Sequence, residues 1–147
     1  MPQLTKEELT AFLPHAGAMR LIDCVESWDD LTIRCLTRSH HCPMNPLRQG
    51  VRLEAVTGLE YAAQAMGLHV GLLDRTRLAN GLLGYVGGLR DVVLMVDRLD
   101  LHPAELTIDA RRLFEDSQSF IYQFAISSGG QDVMKGRASI FLKYLNS

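Results

Sequence analysis

Several features are scarce in this sequence, and each scarcity removes a class of protein. Only three cysteines occur, Cys24, Cys35 and Cys42, an odd number without paired spacing, which argues against a disulfide framework and fits a reducing compartment. Cys24 and Cys35 fall on strand-like segments and read as small core residues. Cys42 follows His40 and His41, but no second ligand pair stands at zinc-type spacing, so no metal is expected. Net charge is slight, formally -2. No whole-protein basic field therefore exists to attract nucleic acid, although a local basic patch can still meet an acidic partner. The longest apolar stretch, residues 53–73, is interrupted by Glu54, Glu60, Gln64 and His69, too often for a membrane span. Residues 1–12 lack the basic start and apolar run of an export signal, so the expected location is the cytoplasm. Internal repeats, low-complexity segments and strand-helix-strand alternation are absent as well, and the last of these excludes a doubly wound nucleotide fold. No cofactor is expected.

What is present is ordinary globular material. The 147 residues are 47% hydrophobic and 22% charged, enough for one sizeable core and one domain, residues 1–147. Thr5-Lys6-Glu7-Glu8 reads as a capping box opening a short helix that runs to about Phe12, before Pro14. Residues 19–28 and 31–38 flank Asp29-Asp30 and read as a hairpin; Leu31, Ile33 and Cys35 alternate with Thr32 and Arg34 at the two-residue period of a half-buried strand. Pro43, Asn45, Pro46 and Gly50 mark a long loop. Residues 53–73, LEAVTGLEYAAQAMGLHVGLL, predict one helix about 30 Å long, apolar around nearly its whole circumference and so covered on most sides. Beyond Gly81 the pattern is strand: residues 82–86, 89–96, 106–114, 120–128 and 133–144, with Gly129-Gly130 supplying a tight turn. A single apolar helix that must be covered, followed by antiparallel strands, predicts an α+β hot-dog fold, in which a curved sheet wraps a long central helix.

Glu60 is the first candidate for chemistry, because it sits mid-helix among Val56, Leu59, Ala62, Ala63 and Met66. A carboxyl held there would be poorly solvated, and desolvation favours the neutral acid that can donate a proton. Thr57 and Gln64 lie on the same side and complete a narrow polar stripe. Such a stripe would also arise if it merely faced solvent or paired with the sheet. His69 follows Glu60 by nine residues, about 180° around the helix, and reads as a structural histidine with a local hydrogen-bond partner. His15 and His102, each beside a proline, read as loop or turn residues. His40 and His41 lie in the loop that feeds the helix and can fold over its start, where free backbone N–H groups would polarise a carbonyl oxygen. Either is a candidate general base.

Three stretches resemble one family. Leu13-Pro14-His15 followed by Met19-Arg20-Leu21-Ile22-Asp23 resembles the opening of 3-hydroxyacyl-carrier-protein dehydratases. Gly58-Leu59-Glu60-Tyr61-Ala62-Ala63-Gln64-Ala65 resembles their central helix, with the catalytic acid followed four residues later by Gln. HHCPMNPLR, residues 40–48, is similar to the loop of a smaller branch associated with aryl polyene and related lipid pathways. The resemblance covers most of the chain and is strongest over residues 45–64. One departure stands out: the main dehydratase families carry His-Phe-Pro-Gly ahead of the acid, and this chain has Pro46 there. His40 matches the histidine of the smaller branch, twenty residues before Glu60.

The resemblance implies dehydration of a 3-hydroxyacyl thioester on acyl carrier protein, or of the corresponding CoA thioester, with Glu60 and His40 catalytic and Asn45, Gln64 and His41 binding substrate. Asn45 is also similar to the loop asparagine of hot-dog thioesterases, which leaves a thioesterase as one alternative and a non-catalytic acyl-binding subunit as another. Arg48, Arg52, Arg75 and Arg77 flank the helix and can meet an acidic carrier. The family resemblance further implies a homodimer, with His40 of one chain meeting Glu60 of the other. Gly84, Gly87 and Gly88 could open an acyl tunnel or mark a β-bulge.

Overall fold

A computed structural model of the chain describes residues 3–9, 19–75 and 82–144. The elements run α1 (Lys6–Leu9), β1 (Cys24–Trp28), β2 (Thr32–Thr37), α2 (Gly58–Leu73), β3 (Leu82–Leu94), β4 (Leu106–Glu115), β5 (Ser119–Ser128) and β6 (Gln131–Tyr144). The strands form one antiparallel sheet in the order β1-β2-β4-β5-β6-β3, and α2 lies against β2, β3, β4 and β5. This is the hot-dog fold. No helix among the described residues is long and apolar enough to cross a membrane.

Local chemistry explains the boundaries. At the start of α1, Glu8 reaches back to the Thr5 backbone N–H at 3.2 Å, as a capping box requires. The predicted end of that helix near Phe12 and the Leu13-Pro14-His15 loop lie outside the described residues. Asp29 closes the first hairpin by accepting the N–H groups of Leu31 at 2.9 Å and Thr32 at 2.7 Å, a side-chain mimic of a backbone turn. The expected helix over residues 53–73 begins later, at Gly58, behind a short 3₁₀ turn over Ala55–Thr57. Tertiary contacts hold its predicted first turn extended. The Leu53 N–H donates to Asp100 at 2.9 Å, and the Leu53 carbonyl and Ala55 N–H bond to Leu99 and Asp97. Backbone groups committed to a neighbouring segment cannot also make helical bonds.

The two strand runs predicted before and after Gly87 are one strand, β3, whose register with β6 shifts between Val86 and Gly88 and again between Arg90 and Val93. The bulge reading holds at Gly87, whereas Gly84 pairs in regular register with Leu142; the Phe141 ring lies over Gly87, where a Cβ would clash with it. Gly129 and Gly130 adopt φ of +57° and +81° in the β5–β6 turn, conformations that only glycine enters at little cost. Tyr61, Met66 and Leu68 of α2 pack on Phe120, Tyr122, Phe124 and Met134 of the sheet as one buried cluster. Each large apolar side chain removed from water there contributes about 2 kcal/mol.

Candidate active site

The site begins at the end of β2, where the chain leaves the sheet and must find partners for its backbone. Thr37 and Ser39 place their hydroxyls on the Leu21 carbonyl at 2.5 and 2.7 Å, fastening the 3₁₀ turn Ser39–His41 to the segment ahead of β1. Asn45 then closes the loop. Its amide N–H₂ donates to the Ser39 carbonyl at 2.9 Å and to the Tyr61 hydroxyl at 3.0 Å, while its carbonyl accepts the Leu47 N–H at 2.9 Å. The Tyr61 hydroxyl lies 2.9 Å from Ser39 Oγ as well. One phenol of α2 thus holds both arms of the loop, and that phenol is the residue next to Glu60.

Within this loop His40 is wholly buried. Its Nε2 lies 2.9 Å from the His102 carbonyl and 3.1 Å from that of Ala104. Both neighbours are acceptors, so Nε2 carries the hydrogen and donates. Nδ1 is then a bare acceptor, and it is buried without a partner among the described residues. Burial holds the His40 pKa below the ordinary histidine value, outweighing the two carbonyls, which favour a charged ring. The outcome is a neutral imidazole of fixed tautomer with one lone pair unused. His41 lies against it, with ring centroids 3.9 Å apart and the planes tilted by 36°, and donates its own Nε2–H to the same His102 carbonyl at 2.5 Å. Arg48 caps the His40 carbonyl from the other side at 3.2 Å.

Glu60 occupies a different part of α2. It is half-buried, on a face shared with Ala63 and Gly67 and with Val56, which is 53% exposed; this is the face that the chain's own sheet leaves uncovered. Gln64 sits one turn on and is buried. Its amide donates to the Met19 carbonyl at 2.8 Å and accepts the Leu21 N–H at 2.9 Å, and it reaches Glu60 Oε1 at 3.3 Å. Gln64 thereby orients the carboxyl and ties the segment before β1 to the helix. The structure brings His40, His41 and Asn45 together in one loop and Glu60 and Gln64 together on one helix, with Tyr61 bridging the two groups. The expected free N–H groups at the helix start are partly spent, since the Gly58 N–H bonds back to the Ala55 and Val56 carbonyls.

A family model described as ApeP dehydratase, of the ApeP-like family, matches residues 7–145. The chain belongs to the ApeP-like dehydratase family. Among solved structures, the ApeP-like chain is similar to the dehydratase heterocomplex ApeI:P from Xenorhabdus doucetiae, at 23% identity and a TM-score of 0.80, covering 94% of this chain and 92% of that one. It is also similar in fold to a thioesterase from Haemophilus influenzae, at 12% identity and a TM-score of 0.66, with 98% and 94% covered. A hypothetical thioesterase with coenzyme A from Streptococcus pneumoniae follows at 17% identity and a TM-score of 0.57, with 82% and 84% covered. No curated protein matches by sequence.

In this ApeP-like chain His69 is structural, as its helical position suggests: Nδ1 meets the Tyr122 hydroxyl at 2.5 Å and Nε2 the Asp29 carbonyl at 2.7 Å. Cys35 is buried, Cys24 half-buried and Cys42 exposed, all as free thiols. Arg48 donates to the Val51 and His40 carbonyls, Arg52 is exposed and pairs with Glu54 at 2.6 Å, and Arg77 lies outside the described residues. Sequence reasoning passed over Tyr61 and Ser39. The available signal was a tyrosine in an apolar helix segment, whose hydroxyl must find a partner when buried.

Proposed function

We propose that the chain dehydrates 3-hydroxyacyl thioesters carried on acyl carrier protein to trans-2-enoyl thioesters. The observation that carries this reading is the buried, partnerless Nδ1 of His40, on a ring whose other nitrogen is fixed by two carbonyls. A buried acceptor with no donor is costly, by about 1–3 kcal/mol, and is retained where a lone pair is needed for proton transfer. His40 Nδ1 removes the proton α to the thioester carbonyl. The bond between the β-carbon and its hydroxyl then breaks, and the proton passed to the departing oxygen at Glu60 lets it leave as water. His41 covers the His40 ring, Asn45 and Tyr61 hold the loop, and Gln64 aims the carboxyl. Asn45 and Gln64 spend their amides on the protein itself, which supports positioning roles for both in place of the expected substrate contacts.

A second hot-dog chain completes the site. Val86, Leu89 and Leu94 point to the helix side of β3, yet they are 36%, 47% and 45% exposed, because β3 is an edge strand that overhangs α2. An apolar strand uncovered on both faces needs a partner. Pairing there sets the loop of one chain near the uncovered helix face of the other, whether that other is a copy of this chain or, as in the Xenorhabdus complex, a different subunit. Purified chain, alone and mixed with its hot-dog partner, is assayed for enoyl formation and for free thiol. Glu60→Gln keeps the shape and removes the acid, so enoyl formation should fall by about 10²-fold or more; unchanged turnover would exclude Glu60 as the acid, and thiol release in place of enoyl product would select the thioesterase.

A further inference from the structure

The face of the sheet turned away from α2 carries an unbalanced row of cations. The register aligns Thr32, Arg111, Gln123, Arg137 and Arg90 on five neighbouring strands, and the next row holds Arg34, Asp109, Ala125, Lys135 and Val93. Asp109 is the one carboxylate in these rows, and Arg34 occupies it at 2.7 Å. Arg90, Arg111, Lys135 and Arg137 are exposed and have no hydrogen-bond or ion-pair partner among the described residues. Four uncompensated cations thus share one face of a chain whose formal charge is -2. Two depressions run along the same rows: one of about 470 Å³ over Ala125, bordered by Arg111 and Lys135, and one of about 270 Å³ over Gly88 and Ser139, bordered by Arg90 and Arg137. Ile121, Phe141, Tyr85 and Phe114, all 37–50% exposed, form an apolar margin at one end.

We propose that this outer face docks an acidic helix of the carrier protein that brings the substrate. The naming of the carrier rests on the dehydratase reading above; the acidity and shape of the partner rest on the face itself. Neighbouring strands lie about 4.8 Å apart, so Arg90 and Arg137 are separated by about one such spacing and Arg137 and Arg111 by about two. Carboxylates at positions i, i+3 and i+10 of a helix lie about 4.5 and 15 Å from the first along its axis, against about 4.8 and 14.4 Å for the three arginines, which fits a helix lying across the strands. A second copy of this chain related by a two-fold axis on this face would set arginine against arginine, a repulsive contact.

The test is a binding titration of the full chain with holo acyl carrier protein that bears no acyl group. Binding is expected to weaken at least about tenfold in the Arg111→Glu/Arg137→Glu variant and as salt is raised. Lys6→Glu, a charge reversal on α1 away from this face, should leave it unaltered. Gln123→Arg, which extends the row at its centre, should tighten it, and circular dichroism checks that each variant is folded. Absence of binding, equal loss with Lys6→Glu, or retention of anionic vesicles or duplex DNA in place of carrier would overturn the proposal. Turnover of a 3-hydroxyacyl pantetheine thioester without carrier is measured in parallel. Carrier binding without that turnover would remove the dehydratase reading and leave the docking face standing; turnover without carrier binding would do the reverse.

Discussion

His40 and His69 are both wholly buried, and burial holds both pKa values below the usual histidine range, yet their surroundings differ in one respect. Around His69 every ring nitrogen is used: the Tyr122 hydroxyl donates to Nδ1, and Nε2–H donates to the Asp29 carbonyl. This ring is a cross-brace between α2, β5 and the first hairpin. Around His40 the carbonyls of His102 and Ala104 hold only Nε2, and Nδ1 has no partner among the described residues. Burial by itself therefore does not distinguish a structural histidine from the proposed base. The distinguishing quantity is the number of ring nitrogens already satisfied.

The same substitution at both sites separates the two roles. His40→Leu should lower turnover by about 10²–10⁴-fold, the usual contribution of a positioned base, as read from enoyl formation per folded molecule. Its stability cost should stay below about 1 kcal/mol, because the His102 carbonyl keeps the His41 donor and the Ala104 carbonyl keeps Ser128 Oγ at 3.0 Å. His69→Leu should do the opposite, costing about 2 kcal/mol or more in urea unfolding, since it leaves the Tyr122 hydroxyl and the Asp29 carbonyl buried and unpaired. Turnover per folded molecule should be nearly unchanged. Equal activity losses at the two positions would erase the contrast.

A smaller effect follows from pH. Both rings bind a proton less readily folded than unfolded, where the usual value is 6.5. Above that pH both states are neutral and the contribution is full. As pH falls through 6.5 the unfolded chain takes up protons first, so stability declines until the depressed folded values are passed. Replacing either histidine by leucine should flatten this acid-side slope of unfolding free energy. Only the His40 variant should also remove the acid limb of the rate profile. A wild-type stability that did not fall on acidification below 6.5 would contradict the neutral assignment of both rings.

Much of the fold could be read from composition and period. One apolar helix among antiparallel strands has few ways to be covered, so residues 53–73 and the strand-forming tail already imply a sheet around a helix. Where α2 starts was hidden, because Leu53 and Ala55 are extended by bonds to Asp100, Leu99 and Asp97, more than forty residues away. Within the site, Glu60 and Gln64 were visible as a helical stripe, since a spacing of four residues is a local fact. The proposed base was less visible: two adjacent histidines in a loop are equivalent until something touches them.

The sequence alone settled what short-range chemistry governs: the central helix, the turns at Asp29 and Gly129-Gly130, the structural position of His69 opposite Glu60, and the family to which the residues 40–64 pattern points. Tertiary structure decided which histidine is neutral, of fixed tautomer and left with a free lone pair, and which arginines are uncompensated on the sheet. Those properties belong to partners brought together across the chain, such as the His102 carbonyl for His40 and Arg137 beside Arg90. Their identities follow from strand register and loop closure, which no local spacing encodes.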